Sequence, residues 1–525
     1  MEFLKSARVV SALTLLSRIF GLVRDQVTTI VLGTRHSDVL FLAWTIPNLF
    51  RKLFGEGALS SAFIPSFVKV QGRGRQEELQ HFVSNVISAL FLVLVVLMGL
   101  FLLLLALLPD SWLLSLFQGD AEKMSDTLAL ARILIPYMVV SCVIAQFQGV
   151  LNSFRVFTIP ALAPVVLNLV WIGAVVAAVF TVSAESGLRI YVIAYGILFA
   201  GLLQFLLFLP SLKKRDLLPK FRWDWKNRDF RNVMAMTAPM VLALSANQLN
   251  ILVDRLVVQS FVPGDGGVTH LYLGNRLMQF PFALIGIALM TAVFPLLAKL
   301  SSEGNREGMK TILSDALRIN LFLSIPALAG LVVLADPIIS LLFEYKNFAS
   351  ASTTETCRTL VGYTVGMPFL STVVLLTRAF YAMGRWKAPL YTGAGLVALN
   401  IVLDFVLVVP LGEAGVALAT SITIAIQAIV LFLLLRSDVG RLGGRVLVVG
   451  TLKACALSSV MAAGVYFSEQ GLDALAPGES VILRLMRVVL PIFIGLALFF
   501  FPARRLCAFE WRSLVEAFRD KKTAR

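Results

Sequence analysis

The chain is dominated by long apolar stretches, each close to the length needed to cross a bilayer. A membrane-spanning α-helix needs about 20 consecutive, mostly apolar residues. Stretches of this kind, bounded by charges or by Pro and Gly clusters, lie at 9–33, 39–68, 82–108, 128–152, 159–182, 190–212, 233–262, 270–298, 311–343, 357–383, 388–410, 414–435, 446–467 and 481–503. They predict an all-α integral membrane protein with fourteen transmembrane helices.

The composition leaves no room for a large water-facing domain. Apolar residues make up 58% of the chain and charged residues only 15%, whereas a soluble protein has about 25% charged residues. The net charge of +15 therefore does not indicate a nucleic-acid partner, and we expect none.

The cysteines and histidines do not form metal-binding patterns. The four cysteines are far apart and none belongs to a C-x-x-C pair. His36, His81 and His270 each lie near a predicted helix end without acidic neighbours. We interpret them as interfacial polar residues rather than metal ligands.

The distribution of basic residues orients the helices. An even number of spans places both termini on one side of the membrane. The loops on that side hold most of the Lys and Arg residues, whereas the opposite loops are mainly acidic. Because cytoplasmic loops are enriched in Lys and Arg, both termini are predicted to be cytoplasmic.

The longest polar interruption divides the chain. The basic segment from Lys213 to Arg231 follows the sixth span and contains Trp223 and Trp225, as expected for a segment at the membrane interface. We predict three regions: an N-lobe with helices 1–6 (1–215), the linker and a C-lobe with helices 7–12 (216–436), and helices 13–14 with a basic cytoplasmic tail (437–525).

A weak internal repeat supports two related lobes. With an offset of 230 residues, Ala58 and Pro65 of the second span align with Ala288 and Pro295 of the eighth, and the residues between them are similar. Two parallel six-helix repeats imply a pseudo-twofold axis along the membrane normal. A rocking transporter with its substrate site between the halves has this architecture.

Charged residues inside the predicted spans are few and mostly basic. Each costs about 2.5 to 3.5 kcal/mol at the centre of a span, so each should face a partner or a water-filled cavity. They are Arg18, Arg24, Asp25, Arg51, Lys52, Glu56, Asp254, Arg255, Arg276 and Asp404. Snorkelling to the interface is an alternative for Lys52 and Arg255. Arg18 and Arg24 share a face only if the helix bends, which Gly21 permits.

An arginine-rich cavity suits an anionic substrate. Guanidinium groups match phosphate oxygens in geometry, so these residues favour an organic phosphate or a phospholipid-like cargo.

Several motifs resemble one family of transporters. They are the run Ser17–Asp25, Asp38, the run Pro47–Ala58, Phe63-Ile64-Pro65, Asn275–Met278 and Arg378–Ala382. Together they resemble the MurJ (MviN) family of bacterial lipid II flippases, which belongs to the multidrug/oligosaccharidyl-lipid/polysaccharide exporter superfamily. The resemblance covers essentially the whole chain.

The resemblance implies a function and a substrate site. The protein would move lipid II, the undecaprenyl-diphosphate-linked disaccharide pentapeptide, across the bacterial inner membrane by alternating access, as a transporter and not an enzyme. Its substrate site would comprise Arg18, Arg24, Asp25, Asp38, Arg51, Glu56 and Arg276. The arginines would bind the diphosphate and adjoining sugar and could also hold chloride. Helices 13 and 14 would form a groove for the polyprenyl tail, and membrane lipids and the cell-wall synthesis machinery are expected partners.

One position departs from the family pattern. Family members often carry acidic residues on both sides of the eighth-helix arginine, whereas this chain has Asn275 and Gln279 around Arg276. A coupling role for those carboxylates is therefore in doubt here.

A second group of residues resembles the sodium site of some members. Asn400 and Asp404 are four apart on the eleventh helix, Thr420 and the Val416 carbonyl are similarly spaced on the twelfth, and Asp254 lies on the seventh. Oxygen donors of this kind suit Na⁺. The alternative is that the polar side chains merely join helices by hydrogen bonds.

Other functions are less well supported by the residues. A flippase for another polyprenyl-diphosphate glycan and a multidrug exporter would share the architecture. A membrane enzyme acting on polyprenyl phosphates would normally show clustered acids for Mg²⁺ or a nucleophile beside a base, and a scaffold would not keep buried arginines at this insertion cost.

Overall fold

The protein is described by a computed structural model that covers residues 2–107, 120–183, 186–440, 442–475, 478 and 480–523. All regular elements of these residues are helices. The α-helices are α1 Glu2–Phe50, α2 Ala58–Gln71, α3 Gln76–Leu107, α4 Ala121–Leu134, α5 Pro136–Ser153, α6 Thr158–Thr181, α7 Arg189–Lys213, α8 Arg228–Phe261, α9 Gly267–Phe282, α10 Ala288–Ser302, α11 Arg306–Val333, α12 Ala335–Phe343, α13 Ser350–Ala382, α14 Lys387–Leu411, α15 Glu413–Val439, α16 Gly444–Leu475, α17 Val481–Leu506 and α18 Ala508–Thr523. Short π-helical segments, Arg51–Gly57 and Ala283–Ile287, follow α1 and α9.

The predicted all-helical membrane protein is confirmed. Within the described residues, ten helices are long and apolar enough to cross a membrane, or twelve if each of two bent pairs is one span. Two further predicted spans, 9–33 and 39–68, are also helical but are not among these twelve. The count of fourteen, the pseudo-twofold relation of two lobes and the three predicted regions therefore remain predictions.

A glycine divides the first long helix where the first predicted span ends. Gly33 has φ +70° and ψ −179°, the non-helical residue inside α1. A Cβ is strained at this φ, so glycine is the residue that permits the break. Gly21 keeps helical angles, which means that α1 turns at Gly33 and not between Arg18 and Arg24.

The fourth predicted span is a bent pair of helices. The axes of α4 and α5 differ by 43°, and Pro136 is the first residue of α5. Proline has no N–H to continue the hydrogen bonding of α4 but suits the first turn of a helix, so the bend falls where the sequence places it.

The chain folds into two compact units. Unit 1 comprises Met1–Thr269 with Lys346–Phe348, and unit 2 comprises His270–Tyr345 with Ala349–Arg525. Unit 1 contains two apolar clusters, one around Phe63, Phe82 and Phe147 and one around Trp44 and Trp171. Unit 2 contains a cluster formed by α10, α11, α13 and α15 and another in which Phe322 packs against Phe499. Each unit thus has its own apolar core.

The hairpin of α14 and α15 depends on a close backbone approach. A Cβ at Gly415 would lie 2.1 Å from the Leu407 carbonyl oxygen. The turn between the helices is made by Gly412, whose φ is +59°. These two glycines bring the first turn of α15 against the last turns of α14.

We expect Gly415→Ala to lower the stability of the protein by about 3 kcal/mol, because the added methyl group collides with backbone that cannot rotate away. The measurement is the thermal unfolding midpoint of the purified protein in detergent. Gly395→Ala, in the interior of α14 with open space where the methyl group would lie, is the control and should be neutral or slightly stabilising. Equal effects of the two substitutions would contradict the proposed collision.

Candidate functional site

The Arg24 side chain lies in a buried polar cluster of unit 1. Its Nε and Nη2 atoms donate to Asp25 Oδ1 at 2.9 and 2.5 Å, and Nη1 donates to Asn168 Oδ1 at 3.1 Å. Asn168 in turn donates to the Ser17 carbonyl at 3.0 Å. Side chains of α1 and α6 therefore accept the hydrogen bonds of a guanidinium group inside the bundle, which its burial requires.

Aromatic rings complete the surroundings of Arg24. The guanidinium carbon lies 4.5 Å from the centre of the Trp171 ring, and Trp171 donates to Thr28 Oγ1 at 3.2 Å. Trp44 packs edge-on against Trp171 at 5.2 Å. A cation over an indole ring is stabilised by the ring quadrupole, so Trp171 acts as a second partner for the charge of Arg24.

The other predicted arginines of unit 1 have different surroundings. Arg18 is exposed, one to two turns before Arg24 on α1. Arg51 is half-buried in the π-helical segment, where its Nε and Nη2 atoms donate to Asn48 Oδ1 at 3.1 and 2.9 Å. The side chain of Glu56 lies outside the described part of the chain.

Asp38 belongs to a separate buried site, beyond the break at Gly33. Its carboxylate accepts hydrogen bonds from Gly266 N at 2.8 Å, Thr269 N at 2.7 Å and Thr269 Oγ1 at 2.6 Å. Lys123 Nζ lies 2.6 Å from Asp38 Oδ2, and the two side chains are 4% and 0% exposed. The carboxylate also caps the first turn of α9, where the helix dipole favours negative charge.

The role of Lys123 was not among the predictions from sequence. This residue stands in the first turn of α4, where the helix dipole disfavours a cation, and it has acidic neighbours at positions 120 and 122. That unfavourable position is the signal that could have indicated a distant carboxylate partner.

Arg35 forms an exposed charge network near Lys123. It bonds to Asp120 at 2.5 Å and to Glu122 at 3.0 Å, and lies 3.6 Å from Asp265. The hydrogen bond from Arg35, together with the backbone N–H of Lys123, lowers the pKa of Asp120. Arg35, Asp120, Lys123 and Asp265 line a cavity of about 160 Å³.

Arg276 lies in unit 2 on α9 and is half-buried. The two amides on either side of Arg276 bond to each other, since Gln279 Nε2 donates to Asn275 Oδ1. Gly274 brings α9 close to α13, because a Cβ there would lie 3.0 Å from the Leu360 amide nitrogen. The helix is thus positioned by glycine packing, and the Asn–Gln pair adds no charge beside the arginine.

The prediction that His270 has no acidic neighbour is wrong. His270 Nδ1 lies 2.6 Å from Glu413 Oε1, and both side chains are buried. The pair joins the beginning of α9 to the first residue of α15. Its members are 143 positions apart in sequence, so local spacing could not reveal it.

Four of the five predicted cation ligands belong to unit 2. Asn400 and Asp404 are buried one turn apart on α14. On the adjacent α15, Thr420 Oγ1 donates to the buried Val416 carbonyl at 3.2 Å. The oxygen types fit Na⁺, a hard cation, although the Val416 carbonyl already accepts one hydrogen bond.

The fifth predicted ligand, Asp254, belongs to unit 1. Asn250 Nδ2 donates to Asp254 Oδ1 at 3.1 Å. The neighbouring Arg255 donates to the Phe41 carbonyl at 3.0 Å and to the Thr45 hydroxyl. Arg255 therefore fastens α8 to α1, in addition to any contact with the membrane interface.

The fold is shared with solved transporters. An inward-facing multidrug resistance MATE family transporter of the MOP superfamily superposes with a TM-score of 0.70 at 16% identity, over 83% of this chain and 98% of that one. A structure of the lipid II flippase MurJ in an inward closed conformation superposes with a TM-score of 0.76 at 26% identity, over 95% of this chain and 99% of that one. The chain thus shares its fold with both of these membrane transporters.

Sequence comparison identifies the family. The family described as lipid II flippase MurJ matches residues 29–485. The lipid II flippase MurJ of Burkholderia cenocepacia is 30% identical over 448 residues, 83% of this chain and 84% of the relative. The probable lipid II flippase MurJ of Buchnera aphidicola is 32% identical over 431 residues, 81% of this chain and 82% of the relative. The chain belongs to the MurJ family, which confirms the resemblance seen in its motifs.

We expect Lys123→Met to destabilise the protein by about 3 to 5 kcal/mol, because it leaves the Asp38 carboxylate buried without its cation. The double variant Asp38→Asn/Lys123→Met should recover most of this loss, since neither charge remains. Thermal unfolding of the wild type, the two single variants and the double variant measures the coupling energy between Asp38 and Lys123. Arg35→Gln, in the exposed network, is the control and should cost at most about 1 kcal/mol. If the double variant is no more stable than Lys123→Met, the Asp38–Lys123 pair does not have the proposed role.

Proposed function

We propose that this chain is a flippase that moves lipid II across the bacterial inner membrane. The observation that carries the proposal is membership of the MurJ family over residues 29–485, with a matching fold over 95% of the chain. The product is the same molecule in the other leaflet, so the work of the protein is binding and conformational change rather than bond chemistry.

Arg24 is proposed to bind the diphosphate by exchanging partners. Its guanidinium group is held by Asp25 and Asn168, an arrangement that a phosphate can imitate, since both ligands are oxygen acceptors. Arg18, Arg51 and Arg276 would supply further donors. Asp25, released from Arg24, would then make the site less favourable for the anion, which provides a way to let the substrate go.

The proposed mechanism is alternating access. It is supported by the fold shared with the MATE transporter and by the apolar surface available to the polyprenyl chain. In α16 and α17 that surface includes exposed Val448, Leu452, Phe493 and Phe501. Asp38 and Glu56 would act in the conformational change rather than at the phosphates, because Asp38 binds the beginning of α9.

The charge of the loops supports the proposed orientation in the membrane, and the direction of transport indicates the proposed partners. Basic loops on the side of the termini favour a protein with both termini in the cytoplasm. The direction of transport, from the cytoplasmic to the outer leaflet, delivers the precursor to the cell-wall synthesis machinery, which is the proposed partner along with the surrounding membrane lipids.

Ions are proposed to assist at two places. Asn400, Asp404, Thr420 and the Val416 carbonyl would hold Na⁺, together with Asp254. The buried Asp404 carboxylate supports this assignment, because a cation offsets the cost of burying its charge. Chloride would occupy the arginine site when no diphosphate is bound.

We expect Arg24→Ala and Arg276→Ala each to lower the rate of lipid II flipping about 10- to 100-fold, the loss of one charge-assisted contact. The flipping rate is measured in proteoliposomes. Complementation is measured in a strain depleted of its own flippase. Because Arg24→Ala leaves Asp25 buried, Arg24→Ala/Asp25→Asn serves as a neutral second variant, and exposed Arg306→Ala as the control. Normal flipping by the neutral double variant at normal protein levels would contradict the arginine site.

We expect flipping by the wild-type protein to rise with a Na⁺ gradient and the Asp404→Asn variant to lose this response, because the amide cannot neutralise the cation. The rates are compared in proteoliposomes with Na⁺ or K⁺ on one side. The control is Glu303→Gln, an exposed carboxylate outside the site. An unchanged Na⁺ response in Asp404→Asn would remove the proposed cation site without affecting the assignment as a flippase.

A further inference from the structure

The linker between α7 and α8 contains an ordered, extended segment fixed to α3. We use the name strap for residues 218–226. Asn85 of α3 makes two hydrogen bonds to the strap backbone, donating to the Asp224 carbonyl and accepting from the Asp224 N–H, both at 2.8 Å. Ser84 Oγ accepts from Lys220 N at 3.1 Å, and Ser88 Oγ accepts from Arg222 N at 3.0 Å. Three side chains of one helix thus take the place of a neighbouring strand.

The hydrogen bonds show which backbone N–H groups of the strap point toward α3. They involve positions 220, 222 and 224, every second residue. Side chains of an extended segment alternate between its two faces, so positions 221 and 223 share the face opposite to that of 220, 222 and 224. Trp225 follows in a turn, and its ring lies against those of Trp223 and Phe230.

The two faces of the strap differ in chemistry. Phe221 and Trp223 occupy one face and are 73% and 52% exposed. Trp225, 56% exposed, joins this aromatic face because its indole ring stacks on that of Trp223 with the ring centres 5.9 Å apart. Lys220 and Arg222 alternate with them and are exposed, so the strap is an amphipathic segment of aromatic and basic residues.

The strap lies where the exposed apolar surface of α3 begins. Ser84, Asn85 and Ser88 are buried beneath it, whereas Phe91 and many later apolar residues of α3 are exposed. Phe91 is three residues beyond Ser88, about 4.5 Å along the helix axis. The aromatic face therefore lies beside the beginning of this exposed apolar surface, and tryptophan is enriched in membrane proteins where such a surface meets water.

Acidic neighbours do not cancel the charge of the strap. Asp229 Oδ2 lies 2.7 Å from Arg73 Nη1. Asp224 is half-buried, and its Oδ2 atom lies 3.6 Å from His81 Nε2. Lys220, Arg222 and the adjacent Lys226 and Arg228 remain exposed, which leaves a basic surface beside the aromatic face.

We propose that the strap is a binding site for an anionic phospholipid of the cytoplasmic leaflet. The phosphate group would contact Lys220, Arg222 and Lys226, and the rings of Phe221, Trp223 and Trp225 would enter the region between headgroup and acyl chains. The proposal rests on the cytoplasmic orientation of the linker and not on transport of lipid II.

Charge recognition is tested by titrating the full-length protein in detergent with dioctanoyl phosphatidylglycerol, and with phosphatidylcholine of the same length for comparison. We expect phosphatidylglycerol to bind more tightly and Lys220→Ala/Arg222→Ala/Lys226→Ala to weaken it about fivefold per residue removed at low salt, with a smaller effect at high salt. The control Lys69→Ala/Arg306→Ala/Arg445→Ala removes the same charge from exposed positions on α2, α11 and α16 and should retain the affinity. Equal losses in the two triple variants would overturn the proposal, as would displacement of the lipid by millimolar inorganic phosphate.

Insertion of the rings is tested by fluorescence in proteoliposomes that contain phosphatidylglycerol brominated near the headgroup. Because the chain has seven tryptophans, the signal of the strap is the difference between the wild type and Trp223→Phe/Trp225→Phe. We expect the brominated lipid to quench this difference signal and water-soluble acrylamide to leave most of it. The reverse result would place the aromatic face in water, where a soluble protein could dock, and would overturn the lipid site. Flipping activity is not needed for either measurement, so their failure is distinct from failure of the proposed function.

Discussion

The structure depends on satisfying ionised groups inside an apolar helical bundle. Removing a carboxylate or a guanidinium group from water costs several kcal/mol, which only a close partner and further hydrogen bonds can offset. Arg24 has Asp25 as its partner, and Lys123 has Asp38. The Lys123–Asp38 pair joins α4 to α1, and Arg24 joins α1 to α6 through Asn168 and Trp171. The need to satisfy buried charge therefore contributes to the helix contacts of unit 1.

The same constraint bears on the proposed diphosphate site at Arg24. A buried arginine that is fully satisfied within the protein can bind a diphosphate only if its internal partners are replaced by oxygens of similar geometry. Asp25 and Asn168 are partners of that kind. The protein is then stable without substrate. The free energy of binding phosphate is smaller by the amount that the contacts of Arg24 with Asp25 and Asn168 contributed. This balance suits a carrier that must release what it binds.

In unit 2, Arg276 on α9 is flanked by two uncharged side chains. Asn275 and Gln279 on either side of it are hydrogen-bonded to each other. Buried acids of unit 2 lie elsewhere, at Asp404 on α14 and at Glu413, which pairs with His270 at the beginning of α15.

Hydropathy alone determined the helical membrane class and most helix limits. The predicted span 159–182, for example, is α6, Thr158–Thr181, because a bilayer sets the length of every segment that crosses it. The motifs likewise determined the family. Only the tertiary structure showed that Lys123 neutralises Asp38, that His270 meets Glu413 and that Asn85 holds the linker. The members of these pairs are 85 to 143 positions apart, and periodicity reports only which face of its own helix a residue occupies. Partner choice between distant helices is decided by packing, which brings each buried charge to the group that can satisfy it.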